Sequence, residues 1–484
     1  MRFVLFSVLV ACQPSPSQEP VVLEGVDFEP LVEQILTDLA ASEAPGVSVA
    51  VMLEGEVAWA GAYGSAHPSQ QVEVTADTLF QIGSTTKMLT AIAVLKRVEA
   101  GQAQLDDPLG VHLPDFDLRF DPGAGGDITL RHLLTHSSGL YDWIDWGGSP
   151  NDDALYEWVH GDFSRDSWLM NDPGAFWNYS NPNFVLAGLV AEELGGAPYV
   201  DQLTADVLDP LGMDRTFSRL SQVEADGDYA LGTGIVLGEG YSYSVGDVLL
   251  ESIPDPASAR PAGSSTWSTP TQMLQVASLL MGDRPDVLDE SLRTQMVSPQ
   301  LATLDRPDAE HYGYGVFVRG GAQLLDGYYP VSMLEHGGNT LSYTSDFYVL
   351  PDHGFAISIL SSGEATDFSS SVAVAMETLV DLGEPVPSPV WTFDPARLDD
   401  HVGTYRDANF GTIEVTRSGD ELHVSMPLLE RYGYQVRSLL EAESSSLFWM
   451  VLDGYYYDLT FIPSADGGSS EYIRNREFVG VRVE

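Results

Sequence analysis

Apolar positions recur along this chain in two periods, and the alternation between them marks out its elements. Leu31, Ile35 and Leu39 fall at helical spacing within residues 28–39. Residues 46–53, Gly-Val-Ser-Val-Ala-Val-Met-Leu, are strand-like; Glu54-Gly55-Glu56 turns them and residues 57–63 return, which predicts a hairpin. From residue 85 to 100 the apolar positions (Met88, Leu89, Ile92, Val94, Leu95 and Val98) cover most sides of a helix. Such a helix is predicted to be buried, with Gly101 as its stop. The middle of the chain, residues 105–310, is rich in helix starts and long loops. One start is Ser268-Thr269-Pro270 before Met273 and Leu274, where a capping hydroxyl precedes a proline in the first turn. Strand patterns return at 313–318, 343–350 and 355–361, and residues 366–382 look helical. Strands early and late with helices between predict a mixed α/β (α+β) domain. Its two ends share one sheet, and its middle forms a helical subdomain.

The texture changes after Pro385-Val386-Pro387-Ser388-Pro389, where a proline stands at every second position. Beyond this boundary come short strand patterns at 412–415, 421–426, 447–452, 456–462 and 477–483 with turns between them. They predict a second domain over residues 393–484, a small antiparallel barrel or sandwich. No internal repeat is present.

Composition narrows the function. The 484 residues carry 22 Lys and Arg against 71 Asp and Glu, a formal charge of −49. Phosphates would be repelled by such a chain, which argues against nucleic acid or an anionic bilayer as partner. The acidic residues are scattered and read as a solvated surface. Cys12 is the single cysteine, so no intramolecular disulfide forms. It follows Arg2, an apolar run and Leu9-Val10-Ala11, and the stretch resembles a bacterial lipoprotein signal with its lipobox. That resemblance implies cleavage before Cys12, a lipid attached to its thiol, and a cell-envelope, extracytoplasmic location with the membrane reached through the anchor. Residues 1–12 would be the signal and the Pro-rich residues 13–27 a polar tether.

Lys87 and Lys96 are the only lysines in the sequence. A chain that nearly abandons lysine but keeps one three residues after a serine, in Ser84-Thr85-Thr86-Lys87, needs an amine there. A desolvated lysine can lose its proton and act as a base, which arginine cannot do. At i and i+3 of a helix start, Ser84 and Lys87 share one face. Tyr179-Ser180-Asn181 precedes an apolar helix over 184–194. Beside an ammonium, a tyrosine can have a lowered pKa and serve as base, and an asparagine can both donate to a substrate carbonyl and accept from a neighbour. A third element, Glu335-His336-Gly337-Gly338-Asn339, ends a strand with glycines that let backbone approach a ligand.

Together with Phe80-Gln81-Ile82-Gly83, Leu105-Asp106-Asp107-Pro108-Leu109, Thr129-Leu130-Arg131-His132-Leu133-Leu134-Thr135-His136-Ser137-Ser138-Gly139-Leu140 and Pro261-Ala262-Gly263, these motifs resemble one family over residues 28–385. It is the family of serine hydrolases related to class C β-lactamases and low-molecular-weight penicillin-binding proteins, with their esterases and D-amino-acid peptidases. The tail resembles a lipocalin-like accessory barrel. The resemblance implies a β-lactamase/transpeptidase-like domain with an antiparallel sheet. It makes Ser84 the acylating nucleophile and Lys87 and Tyr179 its proton-transfer partners. Asn181 becomes a substrate-amide contact, and the backbone N–H groups of Ser84 and Asn339 become an oxyanion hole. Many penicillin-recognising relatives have Lys-Thr-Gly where this chain has His336-Gly337-Gly338. Histidine is mostly neutral at pH 7, which favours ester or amide substrates over β-lactams.

The expectation is therefore a serine hydrolase of carboxylesterase or D-stereospecific peptidase type that acts on a small-molecule or short-peptide ester or amide with no cofactor. A β-lactamase or D-Ala-D-Ala carboxypeptidase is the alternative. An inactive cell-envelope ligand-binding protein is the alternative of another class, although a pure binder needs no Lys87. His132 and His136 have the spacing of a zinc helix, but Leu133 stands where the metalloprotease pattern needs glutamate. Asn178-Tyr179-Ser180 fits the glycosylation pattern only by overlap with the candidate site.

Overall fold

A computed structural model describes residues 23, 25–70, 72–237, 243–248, 253–303 and 310–483. Cys12, its signal-like segment and most of the tether lie outside the described residues.

The early hairpin, Gly46–Leu53 with Glu56–His67, and the late strand Phe355–Ser361 are neighbours, because Val47 lies opposite both Tyr63 and Ser361. Ten antiparallel strands build this sheet, which continues from Phe355–Ser361 through Thr344–Leu350, Met333–Glu335 and Phe317–Arg319 to a short edge. Both its faces are covered, so the central strands are mostly apolar and almost wholly buried, and alternation sorts their side chains. Val47, Val49, Val51, Ile357 and Ile359 point to a core with Leu31 and Ile35 of the helix Glu29–Ser42 and Met376 of the helix Ser369–Leu379. Ala50, Met52, Ala356 and Leu360 join the opposite core with the helix Pro270–Met281 and the helical subdomain. Thr269 caps that last helix by accepting from the Gln272 N–H, and Pro270 opens it, as the hydroxyl-proline signal predicts.

Two helices of the subdomain bear on the site. Thr86–Glu99 is buried from Thr86 to Leu95 without a polar stripe, and Asn181–Gly195 packs against it. One sequence expectation is corrected near them. The predicted strand at 313–318 is observed only over Phe317–Arg319. Gly315 adopts φ +73°, and a Cβ there would meet the Lys87 carbonyl at 2.8 Å. The backbone passes over the Lys87 helix too closely for any side chain, a constraint that two-residue alternation does not reveal.

The C-terminal region is a closed eight-stranded antiparallel barrel that runs from Gly403–Asp407 to Phe478–Arg482 and closes where Tyr405 pairs with Arg482. It is a barrel, not a sandwich. The strands Gly403–Asp407, Val436–Ala442 and Ser470–Asn475 escaped the sequence pattern, since exposed positions in the first two and buried polar residues in the third leave few apolar residues in each run. The barrel docks on the larger domain through a separate apolar seam of Met170 and Phe176 against Val479, flanked by Trp168, Ile462 and Tyr472. Arg474 crosses the seam and donates to the backbone carbonyls of Trp177 and Thr303, each at 2.9 Å.

Candidate active site

Ser84 sits in a single 3-10 turn, Gly83–Thr85, that leads into the helix Thr86–Glu99. Sheet and turn are bolted together on the side away from the cleft. The Ser345 hydroxyl donates to the Ile82 carbonyl at 2.7 Å, and the Thr85 and Ser345 hydroxyls lie 2.7 Å apart. Glycines allow this closeness. Gly83 has φ +51°, and a Cβ on Gly338 would stand 2.1 Å from the Ile82 carbonyl oxygen and 2.9 Å from the Ser84 nitrogen. Any side chain at 338 would push the Gly338–Asn339 backbone away from the Ser84 backbone.

Lys87 is fully buried and its amine meets three groups: Ser84 Oγ at 2.9 Å, Asn181 Oδ1 at 2.8 Å and the Ala262 carbonyl at 2.7 Å. The Tyr179 hydroxyl lies 2.9 Å from Ser84 Oγ on its other side. The hydroxyl, amine and phenol singled out in the sequence thus converge. Tyr179 is set by His136, whose ring packs 4.2 Å from the tyrosine ring and whose Nδ1 accepts the Ser180 N–H at 3.2 Å. His132 instead accepts the Thr129 N–H in a capping box. These two histidines order the loops beside the site.

Both ring nitrogens of His336 are engaged, with Nδ1 2.7 Å from the Gly337 carbonyl and Nε2 3.1 Å from the Tyr312 hydroxyl. A carbonyl only accepts, so Nδ1 carries the proton and Nε2 receives the phenol. Burial, and secondarily Lys87, push the His336 pKa down to about 3, so the ring is neutral. Asn339 turns its side-chain oxygen to the Thr344 hydroxyl, 2.9 Å away, and lines the cleft.

Two residues that sequence reasoning missed complete the wall. Asp142 Oδ1 accepts the Asn181 backbone N–H at 2.8 Å and its side-chain N–H at 3.1 Å, at the start of the helix Asn181–Gly195, where a carboxylate is favoured. Arg476, from the turn between the last two barrel strands, donates through Nε to Asp142 Oδ2 at 2.7 Å and lies over the Tyr179 ring at 4.6 Å. Neither has a local signature: Asp142 stands in an aromatic-rich loop and Arg476 in a polar turn, and each gains its partner only by folding.

The electrostatics correct one expectation. Burial drives the Lys87 pKa well below its ordinary value; Asp142 opposes this and Arg476 reinforces it. Burial raises Tyr179 to about 12, with Arg476 only partly offsetting it. The phenol is therefore not acidified, because Lys87 is neutral and desolvation outweighs Arg476. Above these groups opens a cleft of ≈ 380 Å³ whose lining includes Ser84, Tyr179, Asn181, Phe317, Gly337 and Arg476.

Comparison with known proteins places the larger domain in a family. The Beta-lactamase family description matches residues 32–377. The chain belongs to the beta-lactamase family. Among curated relatives, Protein flp of Staphylococcus aureus (strain NCTC 8325 / PS 47) is 24% identical over 333 residues, 67% of this chain and 61% of flp. The chain thus spans about three fifths of that relative's length. Esterase EstB of Burkholderia gladioli is 35% identical over 179 residues, 35% of this chain and 45% of EstB. The crystal structure of SurE shares the fold, with a TM-score of 0.69 at 22% identity, covering 94% of this chain and 98% of SurE.

Proposed function

We propose that the protein is a serine hydrolase that forms an acyl-enzyme at Ser84 on a small ester or amide, of carboxylesterase or D-stereospecific peptidase type. One observation carries this reading: Ser84 Oγ lies 2.9 Å from both the Lys87 amine and the Tyr179 hydroxyl, at the floor of an open cleft. A neutral amine has two N–H donors and one lone pair. Asn181 Oδ1 and the Ala262 carbonyl accept the two donors, so the lone pair faces the Ser84 hydroxyl. Lys87, held unprotonated by burial, then takes the Ser84 proton as Oγ attacks the substrate carbonyl carbon. The backbone N–H groups of Ser84 and Asn339 receive the developing oxyanion, a contribution of about 3 kcal/mol per donor. Collapse breaks the bond to the leaving group, which takes a proton through Tyr179 while Lys87 returns its own to the phenol. Water repeats the sequence on the acyl-enzyme, releasing the acid and restoring Ser84.

Neutral His336 places no cation on the strand where penicillin-recognising relatives keep a lysine, which favours esters and amides over β-lactams. The stretch shared with an esterase supports the same choice. Attachment to the cell envelope through Cys12 is a separate part of the proposal, and Cys12→Ser should release the protein from the membrane fraction at high salt.

Rapid-quench intact mass with a panel of p-nitrophenyl esters, D-amino-acid amides and β-lactams tests the reading. An acyl mass that appears and turns over with esters or amides is the expected result. Turnover confined to β-lactams or to D-Ala-D-Ala peptides overturns the substrate class, and no covalent species with any member favours a ligand-binding protein.

A further inference from the structure

We infer that the barrel is part of the hydrolytic centre, with Arg476 as a positioning residue that fixes Asp142 and, through it, the Asn181 side chain that holds Lys87. This rests on the serine-hydrolase reading above.

Arg476 and Asp142 are 334 positions apart in the chain, and they meet because the barrel docks. The Asp142 side chain is 6% exposed, so a missing partner would leave a carboxylate charge buried and unpaired, whereas Arg476 is 49% exposed and faces the cleft. Arg476 engages Asp142 Oδ2 through Nε at 2.7 Å and a terminal nitrogen at 2.6 Å. Asp142 Oδ1 is then left for Asn181 alone. Because the Asn181 amide nitrogen is committed to Asp142, its oxygen must face Lys87, at 2.8 Å. An amide without that anchor could turn over and present N–H groups to the amine, which would abolish the arrangement that aims the lone pair at Ser84.

The turn itself is well held. Asn475 accepts the Glu477 N–H at 2.9 Å and donates to the Asp458 carbonyl at 2.8 Å, and its own carbonyl accepts from Asn178, the residue before Tyr179, at 3.4 Å. A hydrogen bond thus ties the turn to the loop it serves.

The charges point the same way. Lys87 faces Ser84, Tyr179, Asn181 and Asp142, with His136 and His336 held neutral by burial. Tyr179 faces His136, Trp177 and Arg476, and Arg476 faces Asp142, Tyr179 and Glu477. Paired with Arg476, Asp142 adds little net charge beside Lys87. Alone, it would favour the ammonium and oppose ionisation of the phenol. Loss of Arg476 should therefore make Lys87 hold its proton to higher pH.

The experiment is the rate at which a fluorophosphonate labels Ser84 as a function of pH, in the full-length protein, with melting temperatures measured alongside. Wild type should be labelled at Ser84; absence of that adduct overturns the hydrolase reading itself. Arg476→Gln should slow labelling roughly tenfold at neutral pH and move the acidic limb of the profile to higher pH. Arg476→Lys keeps the charge without the planar fork, so it should return the limb toward wild type while the rate stays below it. The inference is overturned if the Gln variant matches wild type in rate and profile. It is also overturned if both variants slow equally at every pH, which would make Arg476 a mere attachment point. Should the Gln variant melt far below wild type, the Lys variant decides by the same two readouts.

Discussion

The turn that carries Ser84 and the turn that carries Arg476 face one cleft and are held by different means. Around Ser84 the backbone is over-determined. Ser345 and Thr85 tie the turn to the sheet, Gly338 presses against it, and the following helix is buried from Thr86 to Leu95. Arg476 projects from a β-turn, half exposed, and its place depends on one carboxylate, one aromatic face, the polar bonds of Arg474 and Asn475 to the larger domain, and an apolar seam. The first arrangement fixes atoms to the tolerance that proton transfer requires. The second adjusts the charge those atoms experience, by a docking that could be altered without rebuilding the core. The larger domain thus supplies the reacting groups and the burial that dominates their electrostatics, and the barrel adds one charge that orders and tunes them.

Substitutions can break this division in order of severity. Ser84→Ala removes the nucleophile and should lower ester turnover by roughly 10⁴-fold or more, with no change in melting temperature beyond the loss of one hydroxyl. A fall of only a few-fold would place the chemistry elsewhere. Lys87→Met should cost about 10³-fold, and its pH profile sharpens the point. In the wild type the buried amine is neutral above its depressed pKa, so turnover falls as pH drops through that value. The Met variant should lack this acidic limb, and an unchanged limb would assign it to another group. Tyr179→Phe should cost roughly 10²-fold. Because burial holds the phenol near 12, no loss of activity from its ionisation should be seen below pH 10. Val479→Ala at the docking seam should lower stability by about 1–2 kcal/mol from lost apolar burial. It should reduce turnover far less than Lys87→Met, and a collapse of activity at full stability would mean that the barrel does more than carry Arg476.

The same contrast governs what could be read from the sequence. Ser84 and Lys87 were legible because a helix turn brings i and i+3 together without help from the rest of the chain. Tyr179 and Asn181 were legible through their place before an apolar helix, and the central strands through continuous apolar runs. Tyr179's raised pKa was not, because desolvation depends on everything packed around the ring. Asp142 and Arg476 were also hidden. Tyr141-Asp142-Trp143 offers no motif and Asn475-Arg476-Glu477 looks like a solvated turn, and only the closed barrel and its seam with Met170 and Phe176 bring them together. The Gly315 kink was read as strand for the same reason, since its cause is a helix more than 200 positions earlier in the chain.

The most direct measurement of the central claim is the peptide mass of the protein after reaction with a fluorophosphonate. A single stoichiometric adduct on the peptide containing Ser84, absent in Ser84→Ala and slowed in Lys87→Met, is the expected result. An adduct on another serine, or an unmodified protein after prolonged exposure to the reagent, would contradict the account.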